Sequence, residues 1–424
     1  MNMLKKSGVK ALLLSTSLAC GSAAAADEIT IWSWDSAAEA LMSVADKYNA
    51  TNPAIPAKAE TSQVYDQLTA GCAAGGINLP DVVSIENGEA ERFIQQFPDC
   101  FVELSDLGVE EIKPLFSDYK WVELQAGDDV YGVPWDAGQV VTFYRTDLFE
   151  QAGISPEDIA TWDGYIEAGK KLAAATNGET LMALSNYTSG LNWFSAMAQQ
   201  SGCSIFGDKD GETTIRVNQP GCVQAMDQLK ELTDAGVIAP SGWGDKLTAL
   251  KNGKTASAVY GSWYEGSVRK NMPELAGKWG VTRMPAHEAG GTRAANLGGS
   301  SLFVTSASKN PKEAFEFIKY ALTNPEIQIG MLKEHGLVPS LLSTTSDPYM
   351  DSPQEYWGGQ KIWKTILKTS ADIEPVRSTP YGSEATDILV AIQTAFVEGK
   401  YDSAQAALDE AAGQIASATG LSVE

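Results

Sequence analysis

Stretches with the two-residue period of strands alternate with stretches of helical period along most of this chain. The segments with the strand pattern are 28–34, 81–85, 130–134 and 140–144. The segments with the helical pattern are 36–48, 162–173, 223–233, 311–322 and the region 353–419. This alternation predicts an α/β fold with largely parallel sheets and a helical C-terminal part. Because no low-complexity linker divides the chain, we expect two interleaved lobes.

The first 26 residues have the pattern of a secretory signal peptide. Lys5, Lys6 and Lys10 precede the short apolar stretch 11–19, and alanines at 23–26 provide a small-residue cleavage site. The stretch is too short to span a bilayer as a mature helix. We therefore expect cleavage of 1–26 and export to the periplasm. Lipid attachment at Cys20 stays open, although Ser17 departs from a lipoprotein signal and favours a soluble form.

The charge of the chain limits its partners. The formal net charge is −23, which repels nucleic acid and anionic membrane surfaces. We therefore expect neither as a partner and expect the protein to act as a monomer.

Four cysteines remain after the leader: Cys72, Cys100, Cys203 and Cys222. An even number in an exported protein indicates disulfides, and four cysteines allow three pairings. We expect the two short loops, Cys72–Cys100 and Cys203–Cys222, each stabilising the fold by about 3 kcal/mol. Buried free thiols are the alternative.

Motifs for catalysis and metal binding are incomplete in this sequence. The chain has only 2 histidines, His287 and His335, too few for an ordinary zinc site without a cysteine cluster. The run NGKT at 252–255 ends like a phosphate-binding loop, but Thr248 replaces its first glycine. We expect no catalytic residue, no metal and no cofactor. A carboxylate pair among the 54 acidic residues could still serve an exported glycosidase.

Tryptophans are the residues that most indicate a binding site. The chain has 11, and several follow predicted strands. Trp34 and Trp135 are each followed by an aspartate, Asp35 and Asp136. In open α/β sheets ligands bind beyond the carboxyl ends of strands. An indole face with a neighbouring carboxylate suits a sugar, because the ring packs on C–H groups and the carboxylate accepts hydrogen bonds from hydroxyls. For each tryptophan, a place in the core remains the alternative.

Several ordered motifs resemble one known family. They are ITIWSWD at 29–35, LPDVV at 79–83, YGVPW at 131–135, YRTDLFEQAGI at 144–154, NGKTA at 252–256 with GSW at 261–263, GGSSLFV at 298–304 and GLVP at 336–339. Together they resemble the maltose-binding-protein-like solute-binding proteins of ABC importers. The run GVPWD at 132–136 is most similar to members that handle lactose-like or arabinose-like oligosaccharides.

The resemblance implies a two-lobed clamshell with its ligand in the cleft. It implies an N-terminal lobe of 27–138 with 303–343, a C-terminal lobe of 139–302 with 344–424, and hinges near 134–139, 299–303 and 341–347. The positions that match ligand-facing loops of the family are Trp34, Asp35, Gln63, Glu86, Trp135, Asp136, Trp193, Gly261, Trp263, Gly299, Ser300, Tyr356 and Trp357.

The expected function is that of a sugar-binding receptor that delivers its ligand to permease subunits in the inner membrane. An exported glycosidase and a receptor for another solute, such as a polyamine, are the alternatives. A purely structural envelope protein fits the hinge-like layout less well.

Overall fold

The computed structural model of the protein describes residues 28–374, 376 and 379–424. The expected leader, 1–26, and Cys20 lie outside these residues. No helix in the described part of the chain is long and apolar enough to cross a membrane.

Helices and strands alternate, as the sequence predicts. The helices are α1 Asp35–Asn49, α2 Val64–Ala73, α3 Asn87–Gln96, α4 Thr146–Ala152, α5 Trp162–Ala175, α6 Asn192–Gln200, α7 Pro220–Asp234, α8 Trp243–Lys251, α9 Tyr264–Asn271, α10 Pro311–Thr323, α11 Pro325–His335, α12 Ile362–Ser370, α13 Gly382–Val397 and α14 Ala404–Thr419. The strands are β1 Ile29–Ser33, β2 Ala57–Thr61, β3 Val82–Glu86, β4 Gln125–Ala126, β5 Asp129–Val130, β6 Gly132–Pro134, β7 Val140–Arg145, β8 Ala183–Ser185, β9 Phe206–Lys209, β10 Glu212–Ile215, β11 Ile238–Pro240, β12 Ser257–Gly261, β13 Trp279–Arg283, β14 Ser300–Val304 and β15 Ser422–Val423. Helices α12 to α14 confirm the helical C-terminal part.

The first sheet contains five strands in the order β2-β1-β3-β14-β6. Strands β1, β2 and β3 are parallel, and β14 returns antiparallel to both β3 and β6. Ile29 and Ile31 of β1 are fully buried, in agreement with the alternation of that strand. The carboxyl ends of β1, β2 and β3 therefore lie at one edge of the sheet.

The prediction of largely parallel sheets is wrong for the three-stranded sheet around β7 in the second half of the chain. There β7 lies between β12 and β13, and both pairings are antiparallel. All six residues of β7 are buried. A strand buried on both faces is an uninterrupted apolar run whatever the direction of its neighbours, so its sequence does not specify how it pairs.

The first hydrophobic core packs on the first sheet, two clusters on the faces of the β7 sheet together form the second core, and the chain passes between the two cores. Strand β6 belongs to the first sheet and β7, five residues later, to the second, while β14 returns the chain to the first. Helix α11 contributes to both cores, since Ile327 and Met331 contact the first whereas Ile329 and Leu332 contact a cluster around β12 and β13. The cores support interleaved lobes, and the exact domain boundaries stay a prediction.

Two disulfides confirm the expected pairing. Cys72 of α2 is bonded to Cys100, with 5.3 Å between their Cα atoms. Cys203 is bonded to Cys222 of α7, with a Cα separation of 5.4 Å. One bridge lies in each core, so each ties together local segments of one lobe.

Candidate functional site

The chain crosses between the cores at a tightly bonded junction. The backbone N–H of Ser300 donates to the Asp136 carboxylate at 2.7 Å, and the ammonium of Lys120 donates to the Asp136 carbonyl at 2.8 Å. A Cβ on Gly299, whose φ is +94°, would approach the Lys120 Nζ to 2.7 Å. Position 299 therefore requires glycine. The crossings near 134–139 and 299–303 are held together at this junction.

Trp135 and Asp136 belong to this junction and not to an open ligand surface. Trp135 is only 1% exposed and lies in the first core, and Asp136 is 4% exposed. Burial raises the pKa of the Asp136 carboxyl, which the positive charge of Lys120 opposes. Both side chains are buried in the protein, and their predicted ligand contacts stay a prediction.

Three further aromatic residues that were predicted as ligand contacts are buried or half-buried in the second half of the chain. The buried Trp193 packs on Trp162, with 5.6 Å between ring centroids. The buried Trp357 donates from its indole nitrogen to Glu265 at 3.0 Å. The half-buried Tyr356 donates to the carbonyl of Met272 at 2.9 Å. These contacts explain all three residues by packing, and their predicted place on a ligand surface stays a prediction.

The carboxyl ends of β1, β2 and β3 carry a cluster of accessible residues, which we call the first wall and which includes the predicted Trp34, Asp35, Gln63 and Glu86. Trp34, Asp35, Gln63 and Tyr65 line one groove of about 480 Å³. Trp34 is half-buried and stacks on Tyr65, with 5.8 Å between centroids and 29° between planes. Tyr65 in turn donates its hydroxyl to the carboxylate of Glu86 at 3.2 Å. The first wall thus combines an indole, a phenol and a carboxylate.

The electrostatics of the first wall are unusual for an accessible carboxylate. Glu86 is exposed at the end of β3, yet the protein around it raises the pKa of its carboxyl by desolvation. The hydrogen bond from Tyr65 opposes this rise, whereas the negative charges of Glu89 and Asp136 add to it. In the described part of the chain, no basic side chain lowers the pKa of Glu86. Its oxygens remain available to accept hydrogen bonds from a ligand.

A second aromatic cluster, which we call the second wall, is built at the end of β12. Tyr260 and Trp263 meet edge to face with centroids 5.1 Å apart. The Asn192 side chain donates to the Tyr260 hydroxyl at 2.9 Å, and the Trp263 indole donates to the Leu297 carbonyl at 3.0 Å. A Cβ on Gly261 would come within 2.4 Å of the Trp263 indole nitrogen, so this position also requires glycine.

The two walls lie close enough to interact electrostatically. Burial raises the pKa of the Tyr260 phenol in the second wall, and the negative charge of Glu86 in the first wall raises it further. A separate cavity of about 280 Å³ is lined from the first half of the chain by Glu89, Arg92 and Glu123 and from the second by residues that include Gln199, Ser204 and Asp387. This cavity receives polar groups from both halves of the chain, an arrangement suited to a polar organic molecule.

The sequence missed Tyr65, Asn192 and Tyr260. Tyr260 directly precedes the predicted Gly261 at the end of a strand, which is a usable signal for a cleft position. Tyr65 and Asn192 lie in the first turns of helices, and nothing in their local pattern marks them. Among the described residues, no group of three or more His, Cys, Asp and Glu side chains could hold a metal ion.

Comparison with known proteins gives consistent matches over most of the chain. Residues 33–328 match the family model described as bacterial extracellular solute-binding protein. The lactose-binding protein of Rhizobium radiobacter is 35% identical over 97% of this chain and 99% of its own length. The arabinooligosaccharide-binding protein of Bacillus subtilis (strain 168) is 25% identical over 92% of each chain.

Solved structures share the fold. The ABC transporter associated binding protein from B. animalis subsp. lactis Bl-04, in complex with beta-1,6-galactobiose, superposes with a TM-score of 0.79 at 24% identity, covering 94% of this chain and 99% of its own. The sugar-binding protein MalE from Xanthomonas citri gives a TM-score of 0.76 at 20% identity, covering 92% and 96%. These likenesses confirm the predicted two-lobed α/β architecture.

Proposed function

Since this chain belongs to the family of bacterial extracellular solute-binding proteins, we propose that it is the substrate-binding component of an ABC importer and binds a neutral sugar or oligosaccharide between the two walls. The observation that supports the proposal is the electrostatic interaction between Glu86 in the first wall and Tyr260 in the second, two walls that each also contain a half-buried tryptophan, Trp34 and Trp263. Indole faces pack on the C–H groups of a sugar, and a carboxylate accepts hydrogen bonds from its hydroxyls.

The relatives support a galactose-containing or arabinose-containing ligand. The relative at 35% identity is named for lactose, and the one at 25% identity for arabinooligosaccharides. Both matches extend over nearly the whole chain. We propose a disaccharide or short oligosaccharide of this kind as the ligand.

The proposed mechanism is closure of the two lobes on the ligand. A ligand shifts a conformational equilibrium only if it binds one state more tightly than the other, and a sugar that contacts both walls meets that condition. Bending at the crossings near 134–139, 299–303 and 341–347 would bring the walls together. The permease subunits would then recognise the closed form. The ligand is released unaltered, because the role is binding and not catalysis.

The proposed location follows from the leader. We propose that residues 1–26 direct export and are removed, so that the mature protein works in the periplasm as a monomer. The two disulfides agree with an oxidising compartment.

A thermal-shift screen of the mature protein tests the proposed function. The panel contains lactose, galactobiose, arabinooligosaccharides, maltose and spermidine. A sugar at 100 times its Kd adds about 2.7 kcal/mol to the free energy of unfolding, and the melting temperature should rise accordingly. Stabilisation by spermidine with no response to any sugar would contradict the proposal, and chromatographic detection of released monosaccharide would favour a glycosidase.

A further inference from the structure

Lys246 is a buried cation without an ionic partner beside the second wall. It lies on α8 and is only 5% exposed. Its ammonium nitrogen lies 5.0 Å from the centroid of the Tyr260 ring. Among the described residues it makes no salt bridge and no hydrogen bond. Lysine is rarely buried in this way, because an unpaired ammonium loses its hydration.

The surroundings of Lys246 do not compensate its charge. Burial alone lowers the pKa of the Lys246 ammonium to about 8. The polar groups on the elements around it are Tyr260 on β12, Tyr264 and Glu265 on α9, Asn192 on α6 and Asp245 on α8 itself. Glu265 is engaged by Arg269 at 3.0 Å, and Asn192 donates to Tyr260. A protein retains a costly unpaired cation most readily where a ligand completes its hydrogen bonds.

We propose that Lys246 is a ligand-contacting residue of the second wall, whose ammonium donates hydrogen bonds to hydroxyl oxygens of the bound sugar. This inference rests on the proposed function and identifies the part of the ligand that the second wall recognises. Glu86 is the matching acceptor on the first wall. The sugar then receives hydrogen bonds from one lobe and donates them to the other, so that both polar contacts are completed only when it lies between the walls.

The proposal makes ligand affinity depend on pH. Hydrogen bonds to the sugar favour the charged ammonium, so binding raises the pKa of Lys246 above its value of about 8 in the free protein. Below pH 8 the free protein already carries the proton and binding is strongest. As the pH rises through 8 to 10, binding must take up a proton from solution and the affinity falls.

This inference is tested by isothermal titration calorimetry between pH 6.5 and 9.5. The ligand is the sugar that the thermal-shift screen identifies. We expect the wild type to take up protons on binding at pH 8.5, measured with two buffers of different ionisation enthalpy. At pH 7, Lys246→Met should bind 10-fold to 100-fold more weakly, because a hydrogen bond to a charged group is lost. The fall in affinity at high pH should also disappear in this variant.

Lys251→Met is the matched control. Lys251 lies on the same helix, is exposed and pairs with Glu274 at 3.1 Å. The Lys251→Met variant should bind the sugar with the affinity of the wild type at every pH. Lys246→Gln keeps a neutral donor and should bind without proton uptake, with affinity between those of the wild type and Lys246→Met.

The outcomes separate the inference from the proposed function. If no sugar binds the wild type, the proposed function fails and the role of Lys246 fails with it. If a sugar binds the wild type without proton uptake, or binds Lys246→Met within threefold of the wild type, only the role of Lys246 is overturned. The proton measurement needs no substitution, so the inference stays testable even if a variant fails to fold.

Discussion

At the scale of single residues, the tryptophans divide into partly accessible and buried side chains. Trp34 and Trp263 are half-buried in the two walls, whereas Trp135 and Trp193 are in the interior. A tryptophan followed by an aspartate occurs at both Trp34 and Trp135, and only the surrounding fold decides which indole stays accessible. Lys246 could not be found at all, because a lone lysine in a helix is ordinarily a surface residue.

The contrast between Trp263 and Trp135 gives a paired prediction. Trp263→Ala should cost about 1–3 kcal/mol of ligand affinity with little change in the free energy of unfolding, because the side chain borders the cleft. Trp135→Ala should lower the free energy of unfolding by about 3–5 kcal/mol, since it leaves a cavity in the first core. Calorimetry and urea denaturation of both variants measure these effects. The opposite pattern, with Trp135→Ala stable but unable to bind, would return Trp135 to the ligand surface.

At the scale of secondary-structure elements, the existence and order of helices and strands followed from periodicity. Helices α1, α5 and α10 begin within one residue of their predicted starts. The direction of strand pairing did not follow, because β7 and β12 are buried throughout and pair antiparallel. The disulfides were predictable, since each closes a short loop within one core.

Each disulfide should stabilise its own lobe. Replacing Cys203 and Cys222 together by alanine should lower the free energy of unfolding by about 3 kcal/mol, because the unfolded chain regains the entropy of an open loop. Urea denaturation measures the change. As a check of the pairing, the wild type is denatured without a reductant and then alkylated. Alkylation of either cysteine would show a free thiol and contradict the pairing.

At the scale of the whole molecule, the division into two cores joined by crossing segments places the site. The first wall ends the strands of one core and the second wall ends β12 of the other. Asp136, Gly299 and Ser300 bind the crossings together, and their role as ligand contacts stays a prediction. Periodicity alone gives no information on which residues meet across the cleft, because that depends on the orientation of one core relative to the other.

Small-angle X-ray scattering of the mature protein, with and without a saturating sugar, tests the central claim that one ligand is held by walls from both lobes. We predict a fall in the radius of gyration on saturation, with the sugar recovered intact by chromatography. Trp34→Ala and Trp263→Ala, one on each wall, should each raise the sugar concentration required for this change. Tight binding with an unchanged radius of gyration would contradict closure of the two lobes on the ligand.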